Sequence, residues 1–385
     1  MTDLLDSAPA RELDAFIAER YPAFLEQWGD DRGFDARMAW QKVLHSGGWA
    51  APSWPVEYGG RGLGVADRVA CDVVLGRHRV PYVAGVLGIN NVGPTLAAFG
   101  SPEQKASMAK ILSGDEVWCQ GFSEPEAGSD LAGLKMTAIR DGDHYVVNGQ
   151  KIWTSQGMQA THCELLVRTD TTAGKHGGIS VLCVPLDLAG IERRPLLQIT
   201  GEADFAEMFF TDVRVPASCL LGEENGGWLV TMATLAHERA GTIAMVSLLE
   251  VNAEELVAKY QRVEGEPVLS PVQRDELMQR YVEARVLGIM GANSLEAAEA
   301  GGAPGPEQSV IKLQWSLLSQ ALAASKVSLQ GVDGIAGVDG AASVSYLTAR
   351  ASTIAGGTTQ VMKNILAERV LKMPREPKPA PAVSS

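Results

Sequence analysis

Apolar positions recur at helical spacing along the first third of the chain, where they follow one helix face through Leu13, Ile17 and Phe24. Ser101-Pro102-Glu103-Gln104 supplies the N-cap, first-turn proline and capping-box glutamine of another helix start. The charge-free segment 80–102 contains too many prolines, asparagines and glycines for a membrane span, so a buried helix with breaks is expected there. The first third is therefore predicted to be helical.

The pattern changes between residues 117 and 215 to short runs rich in Val, Ile, Phe and Tyr. Asp141-Gly142 and Asn148-Gly149 interrupt these runs, and both dipeptides are typical of hairpin turns. Helical periodicity returns from Trp228, and Ser270-Pro271-Val272-Gln273 repeats the earlier helix start. The order along the chain is therefore helices, strands, helices.

This order predicts an α+β fold with three domains. We expect an N-terminal helical domain at residues 1–115, a middle β-barrel-like domain at 116–226 and a C-terminal helical bundle at 227–373. A proline-rich tail at 374–385 is predicted to be disordered.

Composition narrows the class of protein. The 385 residues are 46% hydrophobic and 21% charged, as expected of a globular chain with a large core. Thirty-three basic against 46 acidic side chains give a net charge of −13, which argues against nucleic acid as a partner. The acidic first residues lack the pattern of a secretory signal, and five widely spaced cysteines indicate neither a disulfide framework nor a zinc site. A cytoplasmic protein without a membrane partner is expected.

Several catalytic motifs are incomplete. Gly60, Gly62 and Gly64 lack the third spacing of a dinucleotide fingerprint, and no phosphate-binding P-loop sequence occurs. His237-Glu238 lacks the second histidine of a zinc-protease helix, so no metal ligands are predicted. Ser123 lacks the following glycine of a nucleophile elbow. A bound organic cofactor is the remaining route to difficult chemistry.

Two segments of the β region combine small hydroxyl donors with a flat aromatic side chain. One runs from residue 118 to 130 and the other is Asn148-Gly149-Gln150-Lys151-Ile152-Trp153-Thr154-Ser155. Together they suit an uncharged conjugated ring better than a phosphate or a metal ion. The alternative is a β-hairpin with polar turns and a core tryptophan.

The motifs Ser123-Glu124-Pro125-x-Ala127-Gly128-Ser129-Asp130 and Asn148-Gly149-x-Lys151-x-Trp153 closely resemble the flavin segment of the acyl-CoA dehydrogenase family. The likeness extends to about Pro374. It implies FAD as the cofactor and an acyl-CoA substrate whose thioester end lies near Ser129. The residues that it places around the isoalloxazine ring are Gln120, Phe122, Ser123, Gly128, Trp153, Thr154 and Ser155.

Family chemistry is α,β-dehydrogenation, in which a carboxylate removes the α-proton while hydride leaves the β-carbon for flavin N5. Many members carry that carboxylate as a Glu directly before a Gly-Thr pair. Here Gly356 occupies the expected Glu position, followed by Gly357 and Thr358, and residues 341–366 contain no Asp or Glu. A glycine at position 356 also removes side-chain volume and loosens a turn, which is consistent with a bulky acyl group. The Gly-Gly-Thr pattern resembles bacterial enzymes that often act on branched, long or sterol-derived thioesters.

A second subgroup, resembling the isovaleryl- and long-chain-specific enzymes, carries the base on an earlier helix. The matching pair here is Glu238-Arg239, with Glu238 as the base and Arg239 as a contact for the CoA arm. Position 238 shares a helix face with Thr231 and Thr234, so the carboxylate need not lie on the outer face. The alternative is a solvated glutamate and a surface cation.

The far end of FAD is less clearly matched. In the family an Arg before a Phe-Gly pair holds it across a dimer, and Arg262 matches without the Phe-Gly pair, with Arg274 as the other candidate. Gln330, Thr358 and Gln360 resemble the remaining contacts. A homo-oligomer, a dimer of dimers, is therefore expected, with a heteromer containing a related chain as the alternative.

Three functions stay open at this point. They are an FAD-dependent dehydrogenase that passes electrons to an electron-transferring flavoprotein or similar acceptor, a flavin monooxygenase relative, and a subunit that completes the FAD site of a partner. Retention of the Glu238-Arg239 pair favours the first, because an oxygenating flavin needs no base for an α-proton.

Overall fold

The computed structural model falls into two compact units, Met1–Val251 and Asn252–Ser385, and each is described by itself. The structure describes residues 6–240, 242–260, 269–299, 305, 307–337 and 340–375. Within these ranges only the backbone is described at 237–240, 242–244, 298, 299 and 307.

The first unit begins with helices whose apolar faces form one core around Trp40, Trp54 and Leu96. The predicted capping box is confirmed, since the Gln104 amide N donates to Ser101 Oγ (3.3 Å) and the Ser101 amide N donates to Gln104 Oε1 (3.0 Å). The interrupted buried helix is also confirmed, as a π-helical turn, Gly88–Val92, leading into α4. The helices are α1 (Ala8–Trp28), α2 (Phe34–Ser46), α3 (Val65–Arg77), α4 (Gly93–Phe99), α5 (Pro102–Lys105) and α6 (Ser107–Ser113).

The middle region forms a β-sheet, as predicted, and this sheet has eight strands. Its order is β6-β7-β3-β2-β4-β5-β8, and β1 pairs with β4 in parallel. One face of the sheet encloses an apolar interior that includes Tyr145, Val147 and Leu165. The strands are β1 (Trp118–Gly121), β2 (Thr137–Asp141), β3 (His144–Ser155), β4 (His162–Arg168), β5 (Ile179–Pro185), β6 (Ile191–Leu196), β7 (Phe205–Pro216) and β8 (Leu220–Leu221).

Of the two expected hairpin turns, one is confirmed and the other is wrong. Asp141-Gly142 leads from β2 into β3, with Gly142 at φ 61°. Asn148 and Gly149 lie inside β3, where the register with β7 shifts and Gly149 adopts φ 146°. Asn148 Oδ1 accepts from the Asp212 amide N (2.8 Å). A bulge needs the same glycine-like backbone freedom as a turn, so the dipeptide alone does not separate the two.

Two further helices follow the sheet, α7 (Gly227–Ala240) and α8 (Thr242–Lys259). In the second unit the helix start predicted at Ser270 is confirmed, because the backbone N of Gln273 donates to Ser270 Oγ (3.2 Å) just before α9. None of the helices in the described ranges is long and apolar enough to span a bilayer. The second unit contains α9 (Pro271–Glu299), α10 (Glu307–Leu329), α11 (Val332–Ala336), α12 (Gly340–Thr348) and α13 (Thr359–Ile365).

Along the chain, helices come before and after the strands of the sheet, which confirms the α+β class. The three domain boundaries stay a prediction. Most of the tail predicted to be disordered, residues 376–385, lies outside the described residues.

Candidate active site

A buried ion pair fixes the turn that follows β1. Lys151 Nζ on β3 donates to Glu124 Oε1 (2.9 Å) and to the Phe122 carbonyl oxygen (3.0 Å). The Glu124 carboxylate also accepts from the backbone N of Lys135 (2.7 Å) and Met136 (3.0 Å). The Lys151 side chain is fully buried, and this burial lowers its pKa, an effect that the Glu124 charge opposes. The pair therefore anchors to the sheet the segment from Ser123 to Asp130, which resembles the flavin segment of the family.

The predicted aromatic wall, Trp153, lies on the surface of the first unit. Its side chain is 60% exposed, and its ring meets the edge of Phe205 at 5.9 Å. The backbone of Trp153 has φ 60°, where the ladder between β3 and β7 shifts after Lys151. The next residue, Thr154, is buried, and its Oγ1 has no hydrogen-bond partner within the described residues. The alternative of a core tryptophan is therefore wrong.

Open hydroxyl groups accompany this exposed ring. Ser123 and Ser155 are half-buried, and neither side chain bonds to another residue in the described part of the chain. The Ser123 carbonyl accepts from the Ile152 amide N (2.9 Å), which joins the two motifs. Gly128 and Ser129 are exposed on the turn, and a Cβ built at Gly128 meets nothing within 4 Å. These groups fit a planar ring with polar edges, as FAD provides.

Gln120 is held in a polar network between the sheet and the helices. Its Nε2 donates to Glu164 Oε2 (3.0 Å), and its Oε1 accepts from Asn91 Nδ2 (3.0 Å). Thr234 Oγ1 on α7 donates to Glu164 Oε1 (2.8 Å) and also lies 3.0 Å from Thr95 Oγ1. Burial raises the pKa of Glu164 to about 7, although the hydrogen bonds from Gln120 and Thr234 oppose this rise.

Helix α7 starts in close contact with the sheet. A Cβ at Gly227 would lie 2.5 Å from Ser180 Cα, so only glycine permits this approach. Thr231 and Thr234 are fully buried on one face of the helix. Positions 238–239 belong to the last turn of α7, and their side chains lie outside the described residues. The buried face expected from the spacing is present one turn before position 238.

The second unit contains the predicted residues near the missing glutamate. Gly356 and Gly357 have φ 64° and 96°, a region that favours glycine and disfavours a glutamate side chain. Thr358 caps α13 by accepting from the Val361 amide N (3.1 Å). The Gly357 carbonyl accepts from Lys312 Nζ (2.6 Å). This turn is thus held by the Thr358 side chain that caps α13 and by the Lys312 side chain from α10.

The other residues expected near the far end of FAD also fall in the second unit. Gln330 is half-buried just after α10, whereas Gln360 on α13 is exposed. Arg274 is exposed in the first turn of α9, and Arg262 lies outside the described residues. In the first unit the backbone contact between Ile152 and Ser123 joins the two motif segments. The contacts of Gln330, Gln360, Arg274 and Arg262 with FAD stay predictions.

Sequence reasoning missed the supporting roles of Glu124, Lys151 and Glu164. Lys151 continues the inward alternation of Tyr145 and Val147 along β3, so it was bound to be buried with a partner. Glu164 interrupts an apolar strand that is buried on both faces. A charge at such a position was the available signal.

The comparisons with known proteins identify the class. The acyl-CoA dehydrogenase N-terminal, middle and C-terminal domain families match residues 7–115, 119–213 and 225–371. The chain belongs to the acyl-CoA dehydrogenase family. It is an oxidoreductase, an acyl-CoA dehydrogenase, and its cofactor is FAD.

Individual relatives share most of the chain. "Acyl-CoA dehydrogenase IpdE1" of Mycobacterium tuberculosis is 38% identical over 354 residues, 91% of each chain. The structure titled "Tcur3481-Tcur3483 steroid ACAD" has a TM-score of 0.85 at 29% identity and covers 95% of this chain and 98% of its own. The ChsE4-ChsE5 complex from Mycobacterium tuberculosis has a TM-score of 0.79 at 31% identity, over 95% and 97% of the chains.

Proposed function

We propose that Glu238 is the base that removes the α-proton of the acyl thioester. The observation that supports this proposal is the fully buried face of α7 formed by Thr231 and Thr234. By i,i+4 spacing, position 238 follows Thr234 on the same side of the helix. A base must be held within hydrogen-bond reach of its proton, and a helix seated on the sheet provides such positioning. Residues 341–366 offer no carboxylate for this role.

The residues of the β region bind and orient the cofactor ring in this proposal. When bound, FAD supplies the acceptor for the hydride that leaves the β-carbon. Trp153 covers one face of the ring, and Ser123 and Ser155 donate hydrogen bonds to its polar edge. Ser129 lies at the acyl-thioester end, and Arg239 contacts the CoA arm. The open hydroxyls and the exposed indole support this arrangement.

The substrate is proposed to carry a bulky, branched, long or sterol-derived acyl group. Gly356 and Gly357 leave the turn before α13 without side chains. The similar structure described as a steroid ACAD supports the same direction. A role in lipid degradation, with an electron-transferring flavoprotein or similar acceptor, follows from this substrate class.

A homo-oligomer is proposed as the working assembly, with FAD shared between subunits through Arg262 or Arg274, Gln330, Thr358 and Gln360. The similarity to a ChsE4-ChsE5 complex favours one second candidate, a heteromer with a related chain. Mass and flavin content measured on the protein purified alone decide between them. One FAD per chain supports the homo-oligomer, and a colourless protein that gains FAD only with a related chain supports the heteromer.

Replacement of the base tests the proposed mechanism. Glu238→Gln is expected to bind FAD normally and to lower the rate of anaerobic flavin bleaching by acyl-CoA more than the ~10²–10⁴-fold typical of a general base. Glu223→Gln is the matched control, because Glu223 is exposed just before α7. Near-normal bleaching in Glu238→Gln, across branched, long and steroid-derived acyl-CoAs, would refute the assignment.

A further inference from the structure

A row of polar side chains crosses three neighbouring strands on the face of the sheet that meets the helices. Gln120 on β1 is in register with Glu164 on β4, and Glu164 is in register with Cys183 on β5. Other residues of β4 and β5 on the same face, such as Leu166 and Val181, pack into the helical core. Glu164 is therefore a carboxylate between a sheet and a helical layer, with no exposed surface.

The hydrogen bonds of Glu164 come from two different elements. Oε2 accepts from Gln120 of β1 at 3.0 Å, and Oε1 accepts from Thr234 of α7 at 2.8 Å. Asn91 holds the other end of the Gln120 amide at 3.0 Å, so the amide cannot flip without losing both bonds. One carboxylate thus links the strand that leads into the flavin motif to the helix that contains position 238.

The groups that face Glu164 define its electrostatic surroundings. From β5 it meets Cys183, a buried thiol whose pKa is raised well above its usual value, first by burial and then by the Glu164 charge. From β1 it meets Gln120, and from α7 the described side chain is Thr234. On its own strand, Cys163 points to the opposite face, and burial raises the pKa of that thiol as well. Within the described part of the chain, the groups next to the carboxylate are thus a thiol, an amide and a hydroxyl.

Because burial raises the pKa of Glu164 to about 7, its charge changes near neutral pH. The nearby buried carboxylate Glu116 is different, since its Oε1 lies 3.1 Å from Lys110 Nζ and its Oε2 accepts from Trp118 Nε1 (3.1 Å). Glu116 therefore has a cation to balance its charge, and its side-chain partners among the described residues are Lys110 and Trp118.

We propose that Glu164 is a positioning residue of the active site, which sets the orientation of Gln120 and the seating of α7 and passes its own change of charge to the bound flavin. This inference rests on the proposed placement of Gln120 at the flavin ring. Protonated Glu164 donates to Thr234 or accepts from it, whereas ionised Glu164 only accepts, so proton uptake rearranges the hydroxyl donors of the network.

The test is a pH titration of the visible absorption spectrum of the FAD-loaded protein, without substrate. Wild type and Glu116→Gln are expected to show a spectral inflection near pH 7, and Glu164→Gln is expected to lack it. A glutamine at 164 keeps both contacts, because its carbonyl accepts from Gln120 and its amide donates to Thr234, which still has the Val230 carbonyl at 3.1 Å. A merely structural carboxylate would leave the spectrum independent of pH.

A second variant separates positioning from charge. Glu164→Leu removes the acceptor for Gln120 and Thr234, so we expect FAD to bind at least ~10-fold more weakly, whereas Glu164→Gln retains wild-type affinity. An inflection that survives in Glu164→Gln, or its absence in wild type, would overturn the proposal. Failure of the proposed function is recognised separately, since it appears as a wild-type flavin that no acyl-CoA bleaches.

Discussion

The buried pair of Glu124 and Lys151 leads to a sharp prediction about stability. Lys151→Met keeps most of the side-chain volume and removes the ammonium group. Glu124 then keeps its two backbone donors but loses its cation, and the Phe122 carbonyl loses its donor. The variant therefore leaves a partly satisfied carboxylate in a position that is only 8% exposed.

The expected cost follows from this burial. Removal of one partner of a buried ion pair typically costs about 3–5 kcal/mol, because the other charge stays desolvated. The same turn offers a matched control, since Lys135 Nζ lies 2.6 Å from Glu126 Oε2 and both side chains are about three-quarters exposed, at 75% and 76%. Water and salt screen that second pair, so Lys135→Met is expected to change stability very little.

Thermal unfolding followed by circular dichroism and by flavin fluorescence measures both effects on the FAD-loaded protein. Lys151→Met is expected to release flavin and unfold well below wild type, and Lys135→Met to coincide with wild type. The double variant Glu124→Gln with Lys151→Met removes the uncompensated charge and is expected to recover part of the loss. Equal midpoints for Lys151→Met and Lys135→Met would show that the buried pair does not anchor the turn.

Three further outcomes are expected. Trp153→Ala should leave the unfolding midpoint of the FAD-free protein unchanged, because the residue is 60% exposed. Fluorescence titration should show weaker FAD binding, and unchanged affinity would contradict a contact with the ring. Gly149→Ala should cost about 1–3 kcal/mol in thermal unfolding, because φ is 146° and the new Cβ would lie 2.9 Å from Met136, whereas Gly174→Ala, in open space, should cost nothing measurable. The pKa of Glu164 is raised to about 7 from its ordinary 4.5, which contributes about 3 kcal/mol to the free energy of unfolding. This contribution is fully present below pH 4.5 and is lost as pH rises through about 7. Glu164→Gln should therefore flatten the decline of the free energy of unfolding measured from pH 5 to 8.

Local signals in the sequence predicted the parts of the fold that depend on local contacts. The boxes at Ser101 and Ser270 lie where the residue pattern put them, because the donor and the acceptor are three residues apart. The turn predicted at Asn148-Gly149 is wrong because the role of this dipeptide depends on a distant strand, where Asp212 completes the pairing. A dipeptide does not encode the partner that decides between a turn and a bulge.

The candidate site shows the same division. The family resemblance indicated Trp153 and Ser123 as site residues, and in the structure Trp153 is exposed and Ser123 is half-buried. Glu164 could not be assigned from the chain alone, because its meaning comes from Gln120, 44 positions away, and Thr234, 70 positions away. Networks of this kind form only when several elements pack, so a single sequence indicates an unusual residue without its partners.

The close contact between Gly227 and Ser180 fixes the N-terminal end of α7 against the sheet. The helix rests backbone against backbone on β5, where a Cβ would come within 2.5 Å of Ser180, and position 238 lies about 16 Å further along the axis. A small tilt at the seat becomes a larger displacement at the far end, and a misplacement of ~1 Å can cost about 10²-fold in rate. Gly227 is remote from the proposed chemistry, yet we expect a substitution there to displace position 238, the proposed base.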